Sequence, residues 1–172
     1  MPSDAERLPA DFSPFALVTA PDGAHWAAAG TFEEEEREAV VVDGAEGGRY
    51  AGVGRPLFTR SAGVVYTAEN DDENWVVTPR GTYGPYSDAV TALQVSGGAV
   101  AFVHRRTLKG KTHLSVFVDG VEVATAREMG TPIPTPDGSF WIQAELTGKK
   151  QASGLAHKQV VLRGTDVVAS GP

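Results

Sequence analysis

Residues 19–23 read Thr-Ala-Pro-Asp-Gly and form a tight turn between two apolar runs, and residues 135–138 repeat this turn as Thr-Pro-Asp-Gly. Residues 60–63 (Arg-Ser-Ala-Gly) and 95–98 (Val-Ser-Gly-Gly) are weaker copies of the same turn. A second turn follows about 20 residues after each copy. Its glycines are Gly44, Gly81, Gly120 and Gly164. A unit of two turns therefore occurs four times along the chain, and so regular a repeat decides the fold class.

Each unit contains four short apolar runs, whose alternation and β-branched residues favour strands over helices. The fourth runs of the first two units are predicted at residues 50–53 and 86–90. Asp-Gly and Gly-Gly pairs at the turns tolerate the positive φ that tight hairpins need. We therefore predict an all-β fold, a β-propeller built of four four-stranded blades. The predicted blades span residues 13–54, 55–90, 91–130 and 131–172.

Two arrangements of these blades remain open from the sequence. The chain closes as a four-bladed ring, or it supplies half of an eight-bladed dimeric ring. Residues 1–12 are polar and contain Pro2 and Pro9, so we expect them to form either a flexible lead-in or a closing outer strand.

Large apolar residues recur at fixed distances from the turns. The third residue after the first-turn glycine is Trp26, Tyr66, Ala101 or Trp141. A four-stranded sheet cannot bury its own two faces, so a recurrent large side chain faces the neighbouring blade. We therefore predict that Trp141 lies in the core between blades. Valines stand four residues before each second-turn glycine, at Val40, Val77, Val116 and Val160.

The order Pro21-Asp22-Gly23, an apolar strand containing an aromatic residue, Val40-Val41-Val42-Asp43-Gly44 and then Tyr50 resembles a known family. These motifs are similar to the TolB-type and WD-repeat-like β-propeller blades of bacterial proteins. The resemblance covers residues 13–172 and implies four-stranded blades around a channel, used mostly for protein interaction. The chain departs from the pattern where Arg80 and Arg163 replace the aspartate of the second turn. TolB-type propellers also usually have six blades.

Composition excludes several classes of function. A formal charge of −7 opposes nonspecific nucleic-acid binding, and the absence of cysteine removes disulfides and thiolate chemistry. No apolar run reaches the ~20 residues of a membrane helix, and the N-terminus lacks the apolar core of a signal peptide. We expect no nucleic-acid and no membrane partner. The expected compartment is cytoplasmic for the chain as written, or periplasmic or secreted if a signal was removed.

The most informative feature for function is charge in the loop between the second and third strands of each blade. The first two blades carry acidic loops and the last two carry basic loops, which would polarise one rim of the propeller. The acidic residues are Glu33, Glu34, Glu35, Glu36, Asp71, Asp72 and Glu73. The basic residues are Arg105, Arg106, Lys109, Lys111, Lys149 and Lys150. The alternative interpretation is that these charges only keep strand edges soluble.

No catalytic or metal-binding set is apparent in the sequence. The histidines, His25, His104, His113 and His157, lack paired metal-ligand spacing and are interpreted as surface residues. We predict no catalytic residues, no metal and no cofactor. The favoured function is a non-enzymatic binding or scaffold module for a protein partner or for self-association, with a homodimer as one form. The alternatives are a hydrolase or lyase with His25 or His104 at the channel mouth, and a segment of a larger propeller protein.

Overall fold

The computed structural model describes residues 7–147, 157–163 and 166–171, with side chains from Arg7 to Ala144. All secondary-structure elements assigned in this part of the chain are β-strands, which confirms the all-β prediction. The chain divides into two compact units, Met1–Ser87 and Asp88–Pro172. Among the described residues no helix is long and apolar enough to span a membrane.

The N-terminal unit contains two antiparallel sheets. The strands of the first are β1 (Phe12–Thr19), β2 (Trp26–Phe32), β3 (Arg37–Val42) and β4 (Ala45–Tyr50), paired in chain order. The strands of the second are β5 (Gly52–Val53), β6 (Leu57–Phe58), β7 (Val64–Asn70), β8 (Glu73–Thr78) and β9 (Gly81–Tyr86). Its order is β5-β7-β8-β9, and β6 also pairs with β7, so its first strand is built from two short pieces.

The C-terminal unit repeats this plan. Its first sheet pairs β10 (Val90–Ser96), β11 (Ala99–Leu108), β12 (Lys111–Val118) and β13 (Val121–Ala126) in chain order. The strands that follow are β14 (Glu128–Met129), β15 (Ile133–Pro134), β16 (Phe140–Trp141), β17 (Ala144–Thr147), β18 (His157–Arg163) and β19 (Asp166–Gly171). They form a sheet of order β14-β17-β18-β19 and a two-stranded sheet of β15 and β16.

The predicted fourth strands of the first two blades were wrong. β4 ends at Tyr50 and β9 ends at Tyr86, whereas Gly52–Val53 pairs with β7 and Val90 begins β10. The true fourth strands begin directly after the second turn and are rich in glycine and polar residues (Ala-Glu-Gly-Gly-Arg-Tyr and Gly-Thr-Tyr-Gly-Pro-Tyr). Edge strands of this composition have no apolar alternation, so periodicity could not locate them.

The second turns are tight hairpins of the predicted kind in two sheets. Asp43 and Gly44 have φ of 49° and 82°, and Asp119 and Gly120 have φ of 48° and 79°. Positive φ at both central residues is the type I′ geometry that suits the twist of the flanking strands. Both aspartates also accept a backbone hydrogen bond through Oδ1, from the N–H of Trp26 and of Val100, each at 2.9 Å.

The first turns show where the repeats truly align. The residues with positive φ are Gly23, Ala62, Gly97 and Gly138, so the turn falls one residue before the glycine that we aligned in the second and third units. The fourth residue after each is buried, namely Ala27, Tyr66, Ala101 and Ile142. Ala27 and Tyr66 belong to one apolar cluster, and Ala101 and Ile142 belong to another. This position is therefore the recurrent core position within each unit.

The prediction that Trp141 lies in the core was wrong. Its side chain is 48% exposed, whereas Phe140 and Ile142 on either side of it are each 1% exposed. Successive residues of a strand point to opposite faces, so a shift of one residue moves a side chain from the core to the surface. The glycines aligned in the second and third units lie one residue after the turn. The third residue after the aligned glycine is therefore buried in those two units, whereas in the fourth unit it is the exposed Trp141.

The first sheet of the N-terminal unit has apolar side chains on both faces. Ala27, Ala29 and Val40 pack with Tyr66 and Ala68 of the second sheet. On the other face Phe12, Ala28, Phe32, Ala39 and Val41 form a cluster, against which Leu8 packs. Of the predicted lead-in, residues 7–12 thus contribute Leu8 and Phe12 to this cluster, and residues 1–6 lie outside the described residues. The four-bladed and eight-bladed rings both stay predictions.

Candidate interaction surfaces

The acidic residues of the N-terminal unit lie at two exposed turns. Residues 33–36 connect β2 to β3, and residues 71–73 form the turn into β8, of which Glu73 is the first residue. We call these two segments the acidic turns. All seven carboxylates predicted from the sequence are on exposed residues. Their side chains are therefore accessible to a partner.

The two acidic turns are neighbours. Arg37, which follows the first turn, donates a hydrogen bond from Nη1 to Oδ1 of Asn70, which precedes the second, at 3.2 Å. The same Oδ1 accepts a hydrogen bond from the backbone N–H of Ala51 at 2.7 Å. These bonds bring the ends of two β-hairpins from adjacent sheets together, so their carboxylates form one acidic surface.

One of these carboxylates is neutralised locally. Arg49 of β4 forms ion pairs with Glu35 at 2.5 Å and with Glu46 at 2.6 Å, and its guanidinium lies 3.7 Å from the centre of the Phe32 ring. The hydrogen bond from Arg49 holds the pKa of Glu46 below its usual value. Sequence reasoning missed Arg49 because it placed the fourth strand after this residue. The charges available on the acidic surface are therefore mainly those of Glu33, Glu34, Glu36 and the second turn.

Arg105, Arg106 and Lys111 lie on strands and Lys109 lies in the turn between them, which corrects the prediction of a loop at 105–112. β11 and β12 pair as far as Leu108 and Lys111, and the connection is the two-residue turn Lys109-Gly110 with φ of 49° and 73°. We call residues 105–113 the basic hairpin tip. Arg105, Lys109 and Lys111 are exposed there. Arg106 is half-buried, and its Nη2 lies 3.6 Å from Oε2 of Glu122.

Lys149 and Lys150 lie outside the described residues. The acidic surface and the basic hairpin tip belong to different units of the chain. The single polarised rim predicted from the sequence therefore stays a prediction, while the two charged surfaces can be described one by one.

His25 is an exposed histidine held between two carboxylates. Its Nδ1 lies 2.7 Å from Oδ2 of Asp43, and its Nε2 lies 3.9 Å from Oδ2 of Asp22. The hydrogen bond with Asp43 raises the pKa of His25. Two hydrogen bonds lower the pKa of Asp43, and the bond from the backbone N–H of Trp26 has a larger effect than the bond with His25. The two carboxylate oxygens of Asp43 thus contact neighbouring residues at the start of β2, Oδ1 the N–H of Trp26 and Oδ2 the ring of His25.

His104 does not lie on the surface, contrary to the prediction for the histidines. It is 6% exposed, and its ring centre lies 6.2 Å from that of Phe117. Burial, followed by the charge of Arg106, lowers the pKa of His104. It pairs across the hairpin with Ser115, and Arg106 pairs with His113. The side chain of His157 lies outside the described residues.

Within the part of the chain whose side chains are described, no group of three or more His, Asp or Glu residues is placed to hold a metal ion. The predicted site residues that the structure does bring together are thus the two acidic turns, and separately the basic hairpin tip. This arrangement provides long-range attraction for charged partners.

Comparison with known proteins gives one informative match. No family model matches the chain. No curated protein matches it either. Among solved structures, it is similar to the β-propeller domain of the Trilobed protease from Pyrococcus furiosus, a domain described as having an open velcro topology. The TM-score is 0.55 at 9% sequence identity, and the match covers 91% of this chain and 57% of that chain. At this identity the likeness shows the fold alone, which is that of a β-propeller.

Proposed function

We propose that this chain is a non-enzymatic β-propeller module that binds proteins through its charged hairpin ends. The observation that carries the proposal is the grouping of exposed like charges at those ends. Two acidic turns from adjacent sheets are joined by the bond between Arg37 and Asn70. A basic hairpin tip of the opposite sign occurs in the other unit. Paired surfaces of opposite charge steer and orient association.

The hydrolase or lyase alternative has less support. His25 is engaged by Asp43 at the base of a hairpin, and His104 is buried in its sheet. Propellers host many activities, so the fold by itself decides nothing about chemistry. The TolB-type and WD-repeat-like resemblance adds protein interaction as the expected use of such blades. That the chain is a segment of a larger propeller protein stays a prediction, which the native mass of the full gene product tests.

Self-association is the form of the proposal that needs no second protein. If the acidic surface of one copy binds the basic hairpin tip of another, changing Arg105 and Arg106 to Glu weakens association measured by sedimentation velocity. Changing Glu34 and Glu36 to Lys in the same chain restores part of the loss. We select Glu36 over Glu35 because Glu35 already pairs with Arg49. Each exposed pair contributes about 0–1 kcal/mol, so the effect is a sum over several charges.

A matched control separates pairing from net charge. Arg55 and Arg60 are exposed residues outside both surfaces, and changing them to Glu alters the net charge by the same amount. The proposal predicts little effect of this control. Equal weakening by the control, or no restoration by the Glu34 and Glu36 changes, would overturn association through these surfaces.

A further inference from the structure

The basic hairpin tip extends beyond the strands on either side of it. Pairing between β10 and β11 stops at Val90 and His104, and pairing between β12 and β13 stops at Leu114 and Ala126. Pairing between β11 and β12 continues to Leu108 and Lys111. Residues 105–113 therefore form a two-stranded projection from the end of the sheet.

The two faces of this projection differ in chemistry. Directly paired residues of an antiparallel hairpin point to the same face, as do residues two apart on one strand. Arg106 pairs with His113, and Leu108 pairs with Lys111, so these four residues share one face. The opposite face carries Arg105 together with the pair Thr107 and Thr112. Leu108 is 50% exposed. The first face thus presents an apolar side chain among basic ones.

The backbone edge of β11 at this projection is already occupied. The N–H of Arg105 donates to the carbonyl of Ala89 at 2.9 Å, and the N–H of Thr107 donates to Oδ2 of Asp88 at 3.2 Å. A carboxylate that caps an edge opposes the addition of another strand there. Strand addition at this edge of β11 is therefore opposed, whereas the side chains of Leu108 and Lys111 are exposed.

We propose that the face formed by Arg106, Leu108, Lys111 and His113 binds an extended acidic protein segment that carries an apolar side chain. Lys111 supplies an exposed cation that attracts the segment, Arg106 lies half-buried beside Glu122, and Leu108 contacts the apolar residue of the segment. This inference rests on the proposed function and names the partner of one of its two surfaces.

Charge and composition favour this partner over others. A chain of net charge −7 is repelled by a large polyanion, whereas a short acidic segment experiences mainly the field within about 10 Å of the tip. The acidic turns of a second copy supply carboxylates only, Glu33–Glu36 and Asp71–Glu73, with no large apolar side chain for Leu108. A second copy is therefore the weaker ligand, and the acidic segment displaces it.

The test uses fluorescence anisotropy with the full chain and a labelled synthetic peptide in which glutamates flank a central phenylalanine. We expect binding that weakens with salt. Leu108→Ala should weaken it on the order of fivefold, the loss of one apolar anchor, and Lys111→Glu about tenfold. The same charge change on the opposite face, Arg105→Glu, is the matched control and should weaken binding only about twofold. The melting temperature of each variant confirms that it is folded.

Several results would overturn the inference. These are equal weakening by Arg105→Glu and Lys111→Glu, no preference for the peptide over one with alanine at its centre, or tighter binding to phosphatidylserine vesicles or duplex DNA. The sedimentation experiment described above contains no peptide, so it tests self-association independently of peptide binding. If it shows charge-specific association while the peptide fails to bind, the proposed function stands and this inference falls. Peptide binding without self-association supports this inference and overturns only self-association.

Discussion

At the scale of single residues, Gly30 in the middle of β2 shows how closely the first sheet is packed. A Cβ atom at this position would lie 2.5 Å from the carbonyl oxygen of Ser13, 2.6 Å from Cζ of Phe12 and 2.8 Å from Cα of Pro14. Two of these atoms are backbone, so they cannot rotate away. We expect Gly30→Ala to lower the free energy of unfolding in urea by about 1–3 kcal/mol, the range for overpacking.

Gly130 is the control for this substitution. A Cβ atom there would meet its nearest neighbour, the carbonyl oxygen of Gln143, at 3.5 Å, which is ordinary contact. Gly130→Ala should therefore change stability by less than about 0.5 kcal/mol. Equal effects at Gly30 and Gly130 would show that β1 and β2 do not approach as closely as described.

His25 makes a pH-dependent contribution at the same scale. Because its pKa is raised in the folded protein by the hydrogen bond with Asp43, the folded state binds this proton more tightly than the unfolded chain. The stabilisation is present below the ordinary pKa of 6.5 and is lost as pH rises through the folded value. We expect the difference in melting temperature between wild type and His25→Gln to become smaller as pH rises through the folded pKa of His25. An NMR titration placing the imidazole pKa of His25 at or below 6.5 would contradict this account.

At the scale of elements, the alternation of side chains along β16 places its two residues in different environments. Phe140 is buried and Trp141 is exposed. Phe140→Ala empties a core site and should cost about 3–5 kcal/mol, whereas Trp141→Ala should cost less than about 1 kcal/mol. Chemical denaturation of the two variants measures both values. A larger loss for Trp141 than for Phe140 would reverse the assigned register of this hairpin.

The Asp-Gly hairpins give a second prediction at this scale. Asp119 adopts φ of 48° and accepts a hydrogen bond from the N–H of Val100 at 2.9 Å. Asp119→Ala removes this acceptor and places an alanine in the left-handed region, so we expect a loss of about 1–3 kcal/mol in unfolding free energy. Asp119→Asn keeps an oxygen acceptor and tolerates the conformation, so it should lose clearly less. Equal losses would indicate that the hydrogen bond contributes nothing.

The strands also show how far sequence reasoning reaches. Hairpins with Asp-Gly turns and β-branched flanks were predictable because turn chemistry and alternation act locally. The fourth strands, such as Ala45–Tyr50, were not, because an edge strand is specified by the hairpin before it and not by its own pattern. The core position was misplaced by one residue because Ala62 and Gly97, and not the glycines after them, take the left-handed conformation. No local signal distinguishes these neighbours.

At the scale of the whole molecule, a fourfold repeat of two turns was enough to predict a propeller, the fold that the comparison shows. The charged ends of the hairpins could also be found from the sequence, because charge at a turn is visible without tertiary structure. The neutralisation of Glu35 by Arg49 could not be predicted from the sequence. Arg49 reaches Glu35 only through the pairing of β3 with β4, which brings a residue from beyond the second turn onto the same sheet.

The central claim is that the charged hairpin ends are surfaces for protein association. Its most direct test is the native mass in solution, measured by sedimentation equilibrium as salt rises from about 0.05 M to about 0.5 M, where the Debye length falls severalfold. We predict that the weight-average mass exceeds the 18.1 kDa of one chain at low salt and falls towards it at high salt. A mass of one chain at every salt concentration, or a dimer indifferent to salt, would contradict self-association through these charges, which is the form of the claim that this measurement tests.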